Sequence, residues 1–241
     1  YLFKLHMIKL KKSNSYLRKA EKLIPALSQT FSKAPYSYVQ GTYPVYLKNG
    51  KGSHVFDVDG NEFIDYVLGL GPITLGYSYP AVNNAIKKQL KDGISFSMPH
   101  YLEVDLSEKL TKIIPGADMV RFTKTGSDAG TAAIRAARAI TKKDKILYWG
   151  SGGVWHDWFT TITSRNAGIP KFNENLISKF EYNNLELLKE KFDDWKGEIA
   201  AIYMEPMIFE YPKNNFLKEV KKLTHKNNTI LIFDEVVTGF R

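Results

Sequence analysis

Cysteine is absent from the 241 residues, so neither a disulfide framework nor a thiolate metal site can be built. That absence fits a reducing compartment, and a cytoplasmic protein without a bound metal is expected. No uninterrupted apolar run approaches the roughly 20 residues that a membrane helix needs, so no membrane partner is expected. Lysines interrupt every apolar stretch of the first twenty residues, which argues against a secretory signal. The chain opens on Tyr1, with Met7 as an alternative start. The glycine fingerprints GxGxxG and GxxxxGK[ST] are missing, which removes the usual support for a dinucleotide-binding or P-loop domain. No internal repeat or low-complexity tract is present.

Acidic residues are scarce at one end only. The formal charge is +9, but residues 1–33 hold Lys4, Lys9, Lys11, Lys12, Arg18, Lys19, Lys22 and Lys33 against Glu21 alone. The remainder is close to balanced, so nucleic acid is not expected as a partner. The basic stretch reads as a solvated helix face. A phosphate-contacting arm is the alternative, and with it a non-catalytic binding or assembly module that takes an acidic partner.

The patterning that is present divides in two. Residues 14–33 read as a helix running into a loop, and 41–52, rich in Gly and Lys, as a connection. Ser53–Val67 alternates around Asp59-Gly60, a dipeptide suited to tight turns, and predicts a β-hairpin. From Pro80, Val82, Ile86 and Leu90 recur every four positions up to Gly93, a helix with a glycine stop. A further helix is expected from Tyr101 to Ile114, ended by Pro115-Gly116. Beyond it short strands alternate with helices. Strands are expected at Met119–Thr123, Lys145–Trp149, Ile199–Pro206 and Thr229–Glu235, and helices at 129–140, 185–195 and 215–226. Such alternation with near-continuous apolar strands indicates an α/β fold around a buried, mostly parallel sheet.

In sheets of this kind ligands collect beyond the carboxyl ends of the strands. Thr125-Gly126-Ser127-Asp128 leads into a helix whose free N–H groups and positive end suit phosphate. Simple N-capping by Ser127 or Asp128 is the alternative. Asp234 leaves the apolar run Ile230–Phe233, where an ionised carboxylate is costly without a partner. A protonated ring nitrogen, a metal or an arginine would each serve. In Trp155-His156-Asp157-Trp158 the aromatics could stack on a planar ligand and the His–Asp neighbours could do acid–base work. A surface or core aromatic cluster is equally open. Glu205, ahead of Pro206, reads as a buried acceptor or an ion-pair partner.

Taken in order, LIPALSQTFSK, HVFDVDGNEFIDYVLGLGPITLGYSYPAV, TKTGSDAGTAAIRAARAITKKDKI, WHDWF, MEP and ILIFDEVVTGFR resemble the class III pyridoxal-phosphate (PLP) aminotransferases of fold type I. The closest branch is the glutamate-1-semialdehyde aminomutase-like one. The resemblance runs from about Ile24 to Arg241. It implies a large domain with a mostly parallel sheet, here incomplete, preceded by a helix and hairpin segment. Residues 1–78 would contribute to the small domain and 79–241 to the PLP-binding domain. It also implies transamination between an amine donor and a carbonyl acceptor in a homodimer, with an intramolecular aminomutase as the alternative. Gly126 and Ser127 match the phosphate-binding turn, and Asp234 matches the partner of the pyridine nitrogen. Val236 matches the residue under one ring face. Trp155, next to His156, matches the aromatic over the other face, where the family more often has tyrosine. Glu205 matches a glutamate near the site. The turn departs from the family's GSEA or GTEA by reading GSDA. The family's Schiff-base lysine follows the aspartate by a few tens of residues, whereas seven residues follow Asp234 here and none is lysine. The expectation is therefore a C-terminally truncated chain, catalytically inactive by itself.

Overall fold

A computed structural model describes residues 8–241; Tyr1, Lys4 and Met7, with the alternative starts they raise, lie outside the described residues. The chain divides into two compact units, one ending at His100 and the other running from Tyr101 to Arg241. The boundary expected at 78/79 differs from this division by the helix Pro80–Asp92 and the loop behind it. That helix buries none of its residues.

In the first unit, helix α1 spans Lys11–Leu23. It starts three residues before the expected helix-to-loop segment 14–33 and gives way to loop at Ile24, because Pro25 forces the residue before it out of the helical region. Ile24 is accordingly extended, at φ −131° and ψ 111°. Three strands follow, β1 (Leu47–Lys51), β2 (His54–Asp57) and β3 (Glu62–Ile64), in an antiparallel sheet of order β1-β2-β3. The β2–β3 hairpin pairs His54 with Ile64 and Phe56 with Glu62, as the alternation around Asp59-Gly60 requires. Strand β1 falls where a connection was expected. Its sequence, LKNGK, has one apolar residue and pairs through its backbone to β2.

The hairpin turn is built on buried carboxylate. Oδ1 of Asp57 accepts the amides of Asp59 (2.9 Å) and Asn61 (2.8 Å), and its Oδ2 accepts Asn61 Nδ2 (2.6 Å). Gly60, at φ +90°, takes the left-handed corner. The turn so formed projects Asp59 onto α1, which has no acidic residue in its first turn and no side-chain cap of its own. Asp59 supplies the missing acceptors, taking Lys12 N and Ser13 N at 2.7 Å each. Helix α2 is Pro80–Asp92, with proline in its first turn and Gly93 (φ +97°) ending it.

The second unit begins with α3 (Tyr101–Ile113), followed by α4 (Gly126–Thr141), β4 (Lys145–Trp149) and the single turn α5 (Asp157–Thr160). It continues with β5 (Ile177–Lys179), α6 (Leu185–Asp194), β6 (Ile199–Met204), α7 (Phe216–Lys226) and β7 (Ile230–Phe233). The four strands form one parallel sheet of order β5-β4-β6-β7. Every residue of β6 is buried. On one face, Ile146, Tyr148, Ala201 and Tyr203 pack under Ile134 and Ala137 of α4. On the other, Leu147, Ile202 and Met204 pack against Leu188 and Phe192 of α6 and Phe216 and Val220 of α7.

One expectation about the sheet is corrected, and one strand had not been expected. Residues 119–123 are not a strand: they pair with no strand among the described residues, and Met119 is 92% exposed. An apolar run becomes a strand only where a neighbour takes up its backbone N–H and C=O groups. The edge position beside β4 is filled instead by Ile177–Lys179, a segment too short to announce itself by alternation.

The link between hairpin and helix is testable. Burial raises the Asp59 carboxyl, but the amides of Lys12 and Ser13 and the Lys12 charge outweigh it and hold it below its ordinary value. A depressed carboxyl lends stability above its unfolded value and loses it as pH falls through the folded one. Asp59→Ala is expected to abolish hydrogen-exchange protection at the start of α1 at neutral pH. The wild type should show the same fraying only when acidified below the normal carboxylate range.

Candidate active site

The carboxyl ends of β4, β6 and β7 release three loops beside the N-terminus of α4, and the residues singled out from the sequence lie on these four elements. Thr125 caps α4: its Oγ1 accepts Asp128 N at 3.1 Å while Asp128 Oδ2 accepts Thr125 N at 3.0 Å, a reciprocal capping box. The N-cap is thus Thr125, neither Ser127 nor Asp128, and Asp128 takes part as the third helical residue of the box. Ala129 N turns back to Thr125 O at 3.0 Å. The amides of Gly126 and Ser127 are then left at the open helix end, where the dipole favours an anion.

Each side of that opening is closed by a residue from another loop. A Cβ on Gly126 would lie 2.8 Å from Val236 Cγ2, so the loop after β7 rests its Val236 side chain in the space that glycine leaves. Val236 is otherwise 62% exposed. Ser127 is buried; its Oγ accepts Trp155 N at 3.2 Å and donates to Gly153 O at 3.4 Å. Trp155, 71% exposed, thus stands beside the opening, with its ring edge-on to His156 at 4.6 Å between centroids.

His156 itself lies along the flank of α4. Its Nδ1 is 2.7 Å from Thr131 Oγ1 and its Nε2 is 3.7 Å from Asp128 Oδ1. Trp158 Nε1 donates to the same Thr131 hydroxyl at 2.9 Å. With both ring nitrogens facing α4, His156 pins the loop after β4 to that helix.

Glu205 is buried at the end of β6, and its Oε1 accepts both Ser151 N and Ser151 Oγ at 2.7 Å. Tyr148 Oη accepts Gly152 N at 3.0 Å. A side chain at Gly150 would strike both groups, 2.7 Å from the Tyr148 hydroxyl and 2.9 Å from Glu205. The glycines before Trp155 therefore let the loop fold down onto buried acceptors. Asp234, half-buried past the end of β7, accepts Val236 N on Oδ1 at 3.0 Å and the Tyr203 hydroxyl on Oδ2 at 2.6 Å. Burial above all, then the hydrogen bond to Asp234, pushes the Tyr203 phenol far above its ordinary value. Burial does the same to Tyr148, so both stay protonated.

The structure thus gathers Gly126, Ser127, Trp155, Asp234 and Val236 around the α4 opening, with His156 on the helix flank and Glu205 beneath the loop. Sequence reasoning did not single out Tyr203, Ser151 or Thr131. A tyrosine inside the apolar run IAAIYM is the one available signal, since a buried phenol needs an acceptor.

The chain is matched by the family profile described as "Aminotransferase class-III" over residues 36–241. It is 38% identical to a 3-aminobutyryl-CoA aminotransferase of Cloacimonas acidaminovorans, over 97% of this chain and 57% of that protein. It is likewise 38% identical to a glutamate-1-semialdehyde 2,1-aminomutase of Acetivibrio thermocellus, over 96% of this chain and 57% of that one. The chain therefore spans little more than half the length of these curated relatives. Among solved structures, an omega-transaminase from Sphaerobacter thermophilus superposes with a TM-score of 0.85 at 26% identity, covering 93% of this chain and 55% of the other. The FumI protein of Sphingopyxis sp. MTA144, solved in its "PLP internal aldimine form", gives 0.86 at 26%, covering 94% and 55%. The α/β fold expected from the sequence is that of these transaminases.

Because Glu205 holds the loop that carries Trp155, Glu205→Ala is expected to cost about 2–3 kcal/mol of stability, from two donors left unpaired. Urea unfolding measures the cost. Amide exchange at Ser151 and Trp155 should accelerate more than exchange within α6.

Proposed function

Because this chain belongs to the class-III aminotransferase family, we propose that the whole protein transfers an amino group from an amine donor to a carbonyl acceptor, using PLP held at the N-terminus of α4. PLP supplies an electron sink for breaking the bond at the amine carbon and carries the amino group between substrates. The observation that carries the reading is the pairing of an anion-binding helix end with a carboxylate at one sheet edge. Gly126 and Ser127 present two amides without acceptors among the described residues, beside the Ser127 hydroxyl, and Asp234 stands past β7.

In this reading the capping box matters for what it leaves alone. Thr125 and Asp128 satisfy each other, so the amides of Gly126 and Ser127 stay free for a phosphate, helped by the helix dipole. Asp234 keeps a proton on the pyridine nitrogen. Val236 and Trp155 supply apolar surface for the two ring faces, and their loops narrow the access of water. Glu205 and His156 act at one remove: Glu205 anchors Ser151 and His156 anchors to Thr131, which together aim the loop bearing Trp155. Residues 1–78 belong to a small domain and 79–241 to the cofactor domain. The covalent lysine, the substrate contacts and a homodimeric, cytoplasmic assembly are part of the same proposal for the whole protein. Equal identity to an aminomutase supports a second reading, in which the amino group returns to the molecule it left.

The protein expressed with its coding sequence continued past Arg241 is expected to bind PLP, seen by absorbance, and to transfer nitrogen from a labelled amine to an added carbonyl acceptor. Label retained within one rearranged molecule would favour the aminomutase. Asp234→Asn should lower kcat on the order of a hundredfold or more. The 241-residue polypeptide alone, with no lysine after Asp234, should show no turnover; turnover there would sink the requirement for that lysine.

A further inference from the structure

We infer that Tyr203 is a positioning residue for Asp234, and that Gly130 is the gap in α4 that admits its hydroxyl. The inference rests on the cofactor role proposed above for Asp234. Strand β6 otherwise carries only Ile, Ala and Met, and Tyr203 is buried among them. A phenol so placed needs an acceptor, and the acceptor is Asp234 Oδ2 at 2.6 Å. Asp234 Oδ1 takes Val236 N at 3.0 Å. One fixed donor on each oxygen stops the carboxylate from rotating about its Cβ–Cγ bond. An ionised carboxylate has about four acceptor positions, so each oxygen keeps one free for a cationic N–H.

The helix opposite is shaped to this arrangement. A Cβ at Gly130 would lie 2.8 Å from the Tyr203 hydroxyl and 3.3 Å from its Cε2 and Cζ. Glycine is a poor helix former, and its presence in the second turn of α4 is explained by the phenol that occupies the place of its side chain. The Tyr203 ring is held on two further sides, edge-on by Trp158 at 5.2 Å and stacked by Tyr148 at 6.0 Å. Its hydroxyl stays protonated through the working pH range, so it remains a donor to Asp234 rather than a second charge.

The test uses the whole protein with PLP, comparing Tyr203→Phe, Gly130→Ala and Asp234→Asn. Tyr203→Phe keeps the ring packing and removes only the donor. It is expected to weaken PLP binding and to lower kcat, each about tenfold, with the KM for the amine unchanged. The absorption spectrum of bound PLP and its pH dependence should move toward those of Asp234→Asn, which a purely packing role would not cause. Gly130→Ala should do the same by displacing the hydroxyl, and decides the matter if Tyr203→Phe does not fold. The inference is overturned if the folded variants match wild type in PLP affinity, spectrum and kcat within roughly twofold while Asp234→Asn is impaired. If Asp234→Asn also matches wild type, the cofactor role of Asp234 is what fails.

Discussion

The second unit is organised by the complete burial of β6, six residues that leave water at Ile199 and return to it only past Met204. A strand enclosed on both faces and both edges must be apolar along its length and must pair its backbone on each side. Strands β4 and β7 meet the second need, and α4 on one face with α6 and α7 on the other meet the first. Polar chemistry is thereby pushed to the strand ends. Glu205, still buried, lies one residue after β6, and Asp234 lies one residue after β7. Neighbouring parallel strands end level, so these carboxylates arrive at the same edge. Their placement follows from the register, Met204 opposite Phe233.

Close approach at that edge is obtained by leaving side chains out. Gly126 yields to Val236, Gly130 to the Tyr203 hydroxyl, and Gly150 to Tyr148 and Glu205, each leaving under 3 Å for a Cβ. None of the three has a positive φ, so space rather than backbone conformation requires glycine there. Gly152 and Gly153 are different, at φ +92° and +124°, and serve the bend of the loop. The same residue type thus performs two physical tasks within a few positions of β4.

The parts legible in the sequence were those with a repeating or strongly typed signal. Lys145–Trp149 and the stretch after Ile199 read as buried strands because four or more apolar residues run together. The hairpin was legible from Asp59-Gly60, and α2 from Val82, Ile86, Leu90 and Gly93. What escaped lacked a local signature. Leu47–Lys51 is a strand because β2 accepts its backbone, and nothing in LKNGK requires it. Met119–Thr123 has strand composition and pairs with no strand among the described residues. Within the site, Asp234, Gly126 and Ser127 were legible because residue type and position relative to a strand or helix end restrict what they can do. Tyr203 escaped because its importance lies in a hydrogen bond thirty-one residues away, and burial of one more aromatic was sufficient explanation of it. Glu205 was legible as a buried acceptor, but its donors in Ser151 belong to another loop.

The two capped helices show how one problem can be closed or left open. Both α1 and α4 begin with amides that the helix cannot satisfy. For α1 the answer comes from outside: Asp59, projected by the hairpin, covers Lys12 N and Ser13 N with a full charge. That contact ties the helix end to the sheet. For α4 the answer is internal and partial. Thr125 and Asp128 satisfy one another, which uses the amides at the cap and at the third helical position and passes over the two between them. A helix meant only to be stable would gain from covering those as well. Left open, they are free for water or a ligand, and around them stand a buried serine hydroxyl, an exposed tryptophan and an exposed valine. The capping box thus leaves two donors, the amides of Gly126 and Ser127, without a partner among the described residues, and the proposed phosphate contact rests on that opening.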